Sequence, residues 1–207
     1  MTSGPIRRHR AEATAAALVF IAGLLGGACS WAQEPAAGWS LEKLMRDLGQ
    51  VQSAKARFVE RKYLKVLNAP LELRGTLTYN APGWLEKRTQ SPRPETLTLD
   101  GDRLTIENQA RRESRSLRLQ DYPVLRAFVE SIRSTLSGDI RALERFYRVE
   151  LEGGPAQWRL YLVPRDQEMR RVISLIRIGG SRDRVDLIEV NETSGDRSVM
   201  KVYEEHR

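Results

Sequence analysis

A chain of 207 residues with one cysteine and two histidines lacks the cysteine pairs of a disulfide framework and the His/Cys clusters of an ordinary zinc site. Lys and Arg number 34 against 27 Asp and Glu, a formal net charge of +7. The two signs are interspersed and no aromatic-basic recognition motif is present, which argues against nucleic acid and leaves an anionic membrane surface or an acidic partner as the use of a modest basic excess.

Arg7, Arg8 and Arg10 precede an uncharged stretch, Ala15 to Ala28, rich in Leu, Val, Phe and Ile. That is the n-region and h-region of a secretory signal peptide. The apolar run is shorter than the roughly 20 residues that span a bilayer as a helix. Ser30-Trp31-Ala32 places small residues where signal peptidase reads them, so cleavage is expected after Ala32. The expectation is a signal peptide over 1–32 and a single exported domain over 33–207, working in the periplasm. Loss of the leader removes three arginines and one glutamate and lowers the net charge by two. Cys29 supports a competing reading, acylation as a lipoprotein, because Leu25, Gly26, Gly27 and Ala28 precede it; the leucine stands one position too far from the cysteine for a regular lipobox. With cleavage after Ala32 the mature chain contains no thiol.

Ser40 is placed to cap a helix in which Leu41, Leu44, Met45 and Leu48 follow the spacing of one helical face. From Ala54 the period changes to two. Leu71, Leu73, Gly75, Leu77 and Tyr79 alternate with polar residues, as in a half-buried strand. The alternation returns at Leu97 and Leu99, at Leu104 and Ile106, and at Leu117 and Leu119, with Asp100-Gly101 as a tight turn between the first two pairs. Leu125, Phe128, Val129, Ile132 and Leu136 then revert to helical spacing before Gly138, a C-cap residue, and Asp139 is set to cap a second short helix through Leu143. Strands resume at Tyr147 to Leu151, Trp158 to Leu162, Val172 to Ile178, Val185 to Val190 and Ser198 to Tyr203. With strands near Phe58 and Trp84 the total is about eleven, joined by short Gly/Pro/Asp turns. The expected fold is mainly β with α, an incomplete antiparallel barrel or strongly curved sheet, with the helical pair at 122–144 lying across its open end or concave face.

The chemistry of catalysis is hard to find. The one histidine beyond the leader, His206, lies beside the C-terminus, and there is no Gly-x-Ser-x-Gly elbow and no Walker-type phosphate loop. Carboxylates are plentiful, yet nothing singles out a pair of them. Asn191-Glu192-Thr193 matches a glycosylation acceptor, a pattern common by chance. The expectation is a protein without enzymatic activity, cofactor or metal. What remains is a supply of large apolar side chains on strand faces under an amphipathic helical cover. Each alone is an ordinary core residue; together they fit a concave face only partly filled, able to accept an apolar ligand. The candidate cavity residues are Phe58, Leu77, Trp84, Leu85, Leu97, Leu99 and Ile106 on the strands, with Phe128 and Ile132 on the helix.

The order of several short motifs resembles the LolA-like family of periplasmic outer-membrane lipoprotein carriers. They are Ala56-Arg57-Phe58-Val59-Glu60, where the family has a phenylalanine followed two residues later by a polar amide; Gly75-Thr76-Leu77-Thr78-Tyr79; Pro82 with Trp84 and Leu85; the region of Pro94; and Leu99-Asp100-Gly101-Asp102-Arg103-Leu104. The resemblance implies an eleven-stranded incomplete barrel lidded by helices, a monomer whose cavity takes the acyl chains of a lipid-modified cargo. It also implies an ATP-using inner-membrane transporter as donor and an outer-membrane acceptor. The need for such a carrier is physical: at about 0.8 kcal/mol per buried CH₂, a long acyl chain gains on the order of 10 kcal/mol by leaving water. Two positions depart from the pattern. Ala81 stands before Pro82 where the family typically has an arginine taken to latch the lid, and Glu60 replaces the early amide. These departures point to a branch handling another amphiphile, such as a glycolipid or an acylated pigment precursor. A reading of a different class is a lipid-sensing adaptor that uses the same fold and acts through a protein partner.

Overall fold

Residues 38–204 are described by a computed structural model of the protein; the expected leader, Cys29 and His206 lie outside them. Ser40, in extended conformation, accepts a hydrogen bond on its hydroxyl from the Lys43 backbone N–H and starts α1 (Leu41–Gly49), whose Leu44, Met45 and Leu48 are buried. Six strands follow: β1 (Ser53–Tyr63), β2 (Leu71–Asn80), β3 (Trp84–Ser91), β4 (Glu95–Asp100), β5 (Arg103–Asn108) and β6 (Glu113–Arg118). A single 3-10 turn, Leu119–Asp121, leads into α2 (Pro123–Ser137) and α3 (Ile140–Phe146). The chain then makes β7 (Tyr147–Gly154), β8 (Gln157–Pro164), the one-turn α4 (Gln167–Arg170), β9 (Ile173–Ser181), β10 (Arg184–Glu192) and β11 (Arg197–Glu204).

The eleven strands form one antiparallel sheet in the order β6-β5-β4-β3-β2-β1-β11-β10-β9-β8-β7. Each half is a meander, and the halves are joined where β1 pairs with β11, Phe58 opposite Val202 and Glu60 opposite Met200. The free edges are β6 and β7, and the chain that runs between them is the helical pair. Helices therefore stand where further strand pairing would have closed a barrel, which is the expected incomplete antiparallel architecture.

Local chemistry sets the helix boundaries. Pro123 opens α2, where its missing N–H costs nothing. Gly138 closes it at φ +69°, and a Cβ there would stand 2.1 Å from the Met45 carbonyl oxygen of α1. Only glycine fits, both for the left-handed backbone and for the approach of the two helices. The Asp139 carboxylate then accepts from the Ala142 N–H at 2.9 Å and starts α3.

Packing divides the concave face. Over β7–β9 the helices make a dense core in which Leu44, Leu143, Tyr147, Trp158, Leu160 and Ile176 are fully buried, and the Tyr147 hydroxyl donates to the Ala127 carbonyl at 2.9 Å. Two boundaries differ from the sequence expectation. Leu119, expected on a strand with Leu117, begins the 3-10 turn and is buried there. Val172 precedes β9, because its N–H closes the turn after α4 onto Met169, and its side chain is exposed. Neither the 3-10 turn nor α4 is foreseen by periodicity, since both are shorter than a readable repeat.

Candidate functional site

Side chains alternate along each strand, so the ladder register decides which residues share the concave face. Leu85 pairs with Leu99, and Leu99 with Leu104; Lys87 pairs with Leu97. In the other half Ile178, Ile188 and Met200 lie opposite one another, and the same rung continues to Glu60 of β1. Between this face and α2 lies a cavity of about 1750 Å³. That is larger than the roughly 300–1,000 Å³ of an ordinary small-molecule pocket. Its walls are chiefly aliphatic, and α2 turns Phe128, Val129, Ile132 and Leu136 into it.

Of the nine expected cavity residues, Leu77, Leu85, Leu97, Leu99, Phe128 and Ile132 come together in the wall. Phe58, Trp84 and Ile106 are not part of it. Phe58 is sealed at 1% exposure: its ring lies against Gly75, where a Cβ would meet it at 2.9 Å, and the Lys87 ammonium covers it 5.0 Å from the ring centre. Trp84 adjoins Leu85, and two successive strand residues face opposite ways. Ile106 shares the face of Leu97, its partner, but the cavity reaches β5 only at Leu104.

Sequence reading missed the polar part of the wall. Glu60, at 4% exposure, accepts from the Ser198 hydroxyl at 2.6 Å on Oε1 and from the Lys87 ammonium on Oε2, and the Lys62 ammonium stands 3.8 Å from Oε1. All four line the cavity. Burial pushes the Glu60 carboxyl up, but the charge and hydrogen bond of Lys87, the Ser198 hydroxyl and the charge of Lys62 outweigh it and hold the group below its ordinary value. In the sequence Glu60 stands out only as a departure from the family's early amide; its place beside Lys87 and Ser198 is legible once the partner strands are known. Tyr79, also in the wall and buried, leaves its hydroxyl without a partner among the described residues, and burial raises its pKa.

A second buried acid fastens the roof. Glu130 of α2 pairs with Arg133 one turn on, and Arg133 donates from Nη1 to the Gly101 carbonyl oxygen at 2.8 Å. Among the described residues no three His, Cys, Asp or Glu side chains gather as a metal site, and no helix is long and apolar enough to cross a membrane.

No curated protein sequence matches the chain significantly. Solved structures similar to it include a LolA superfamily protein from Nitrosomonas europaea, at 10% identity and TM-score 0.43, covering 82% of this chain and 95% of that one. Another is an outer membrane lipoprotein-sorting protein domain from Vibrio parahaemolyticus, at 7% identity and TM-score 0.43, with 78% and 88% covered. A third is the MucA/MucB complex of Pseudomonas aeruginosa, at 13% identity and TM-score 0.44, with 79% of this chain and 56% of that chain covered. The family model described as outer membrane lipoprotein carrier protein LolA-like matches residues 32–201, nearly the whole chain. An eleven-stranded open sheet roofed by helices and a family match of that length agree, and the protein belongs to the LolA-like family.

Proposed function

We propose that this protein is a periplasmic carrier that holds the acyl or other apolar part of a lipid-modified cargo in its cavity and moves it from the inner to the outer membrane. The observation that carries the reading is the cavity itself, a large space with mainly aliphatic walls inside a sheet that has the size to bury them elsewhere. Water in such a space is readily displaced by hydrocarbon, and a chain bound there gains what it would gain in a bilayer. The leader 1–32 supplies export, 33–207 is the carrier domain, and the family supplies the donor transporter and the outer-membrane acceptor. No step needs a catalytic residue, since loading and release are differences in affinity between the cavity and its two partners.

The test is mass spectrometry of the organic extract from mature protein purified gently from its own periplasm. A stoichiometric lipid or acylated compound supports the carrier and names its cargo class. An empty extract from well-folded protein, together with a stable protein partner in pull-down and no lipid transfer between vesicles, overturns it in favour of a lipid-sensing adaptor.

A further inference from the structure

The cavity carries one feature that an acyl chain alone does not need: an ion-paired cluster set into its apolar wall. Glu60 has both carboxylate oxygens engaged, Oε1 by Ser198 and Oε2 by Lys87. The cations are less satisfied. An ammonium has three N–H donors. Lys87 gives one to Glu60 and rests over the Phe58 ring, and Lys62 stands at 3.8 Å, beyond hydrogen-bond reach, with no other partner among the described residues. Within this cluster two ammonium groups against one carboxylate leave one positive charge and several unused donors at the cavity wall, whose other acids are Glu86, Asp183 and Glu192. A buried ion pair is a poor source of stability, because desolvation offsets its attraction. Its placement here is better explained by what it offers a ligand.

We propose that this cluster is a headgroup site, and that the cavity selects an amphiphile with an anionic, oxygen-rich headgroup, a carboxylate or a phosphate ester, bound to Lys62 and Lys87. The inference rests on the carrier reading and deepens it. Water serves the ammonium groups while the cavity is empty. When a hydrocarbon chain enters, the water over Lys87, whose side chain is 22% exposed, is displaced, and its donors lose their partners unless the ligand brings acceptors to the same level; Lys62, at 39%, stays within reach of solvent and adds its charge. The trough beside them has the length for a chain. Tyr79 pairs with Ala54, six residues along β1 from Glu60. At about 3.3 Å per residue that is roughly 20 Å, against about 15 Å for one leaflet of bilayer hydrocarbon. Leu77, Leu97, Leu99, Phe128 and Ile132 flank this stretch.

The test is competition against the apolar fluorophore N-phenyl-naphthylamine on delipidated mature protein, with dodecanoate, dodecyl phosphate and dodecanol as competitors. The wild type is expected to prefer at least one of the anions to the alcohol by about ten- to a hundredfold. The tighter anion identifies the headgroup as carboxylate or phosphate. In Lys62→Met the preference shrinks while dodecanol binding holds, and in the triple variant Glu60→Gln/Lys62→Met/Lys87→Met, which removes both cations and leaves no buried charge unpaired, it disappears. Equal affinity for anions and alcohol in the wild type, or a preference that survives both variants, overturns the headgroup site and leaves the carrier intact. If fluorophore and competitors all fail to bind, the carrier reading itself falls.

Discussion

Arg133, on the helix that roofs the cavity, donates from Nη1 to the backbone carbonyl oxygen of Gly101 in the β4–β5 turn, 2.8 Å away. The same guanidinium is held by Glu130, and its aliphatic stem lies where a Cβ on Gly83 would be, 2.6 Å from the Arg133 Cδ. One side chain of α2 thus ties the helix to two hairpin turns of the first meander.

Arg133→Met leaves the Glu130 carboxylate buried without its partner. It is expected to lower stability by about 2 kcal/mol and to speed release of a bound fluorophore. Glu130→Gln/Arg133→Met should recover most of the stability and none of the retention. Urea midpoints and stopped-flow release separate the two effects.

A charge in the aliphatic wall should destroy retention without destroying the sheet. Phe128→Asp is the cleaner variant, because Phe128 is only partly buried and faces the cavity; Leu99→Asp tests the opposite wall. Both are expected to lose ligand in the periplasmic extract while the far-ultraviolet β signal persists. Retention in a folded Phe128→Asp protein would place the ligand elsewhere.

Acid dependence follows from Glu60. Its folded pKa lies below the ordinary 4.5, so the ionised carboxylate adds stability that is fully present above that value and is lost as pH falls through the folded pKa. Glu60→Gln is expected to be about 1–2 kcal/mol less stable at neutral pH, with the gap narrowing as pH drops below 4.5. Urea midpoints measured across that range check it, and a constant gap would mean that the carboxyl titrates alike folded and unfolded.

Gly138→Ala meets both a left-handed backbone and the Met45 carbonyl. A cost of about 2–4 kcal/mol is expected, seen as a fall in Tm of roughly 5–15 °C. Ala substituted at Gly101, where φ is +56° but no atom lies within 4 Å, should cost less, and the comparison isolates the contact from the backbone strain.

Much of the fold is readable along the chain because it is local. The period-two pattern from Leu71 to Tyr79, the Asp100-Gly101 turn, the Ser40 and Asp139 caps and the Gly138 stop each depend on residues a few positions apart, and each stands in the structure as the sequence implies. The same pattern places Leu77, Leu85, Leu97 and Leu99 on the face that became the cavity wall.

What the tertiary structure decided is which distant residues meet. Ser198 lies opposite Lys62 because β11 returns to pair with β1, and this long-range pairing brings its hydroxyl to Glu60, 138 residues away in the chain. Phe58 has the composition of a ligand contact, yet the missing side chain of Gly75 on the neighbouring strand gives its ring a place in the wall's interior. Periodicity reports which face a side chain takes but not what stands beside it on that face, because register across strands is fixed by pairing between remote segments. Hence the apolar lining could be expected from sequence, and the ionic cluster within it emerged only when the sheet was assembled.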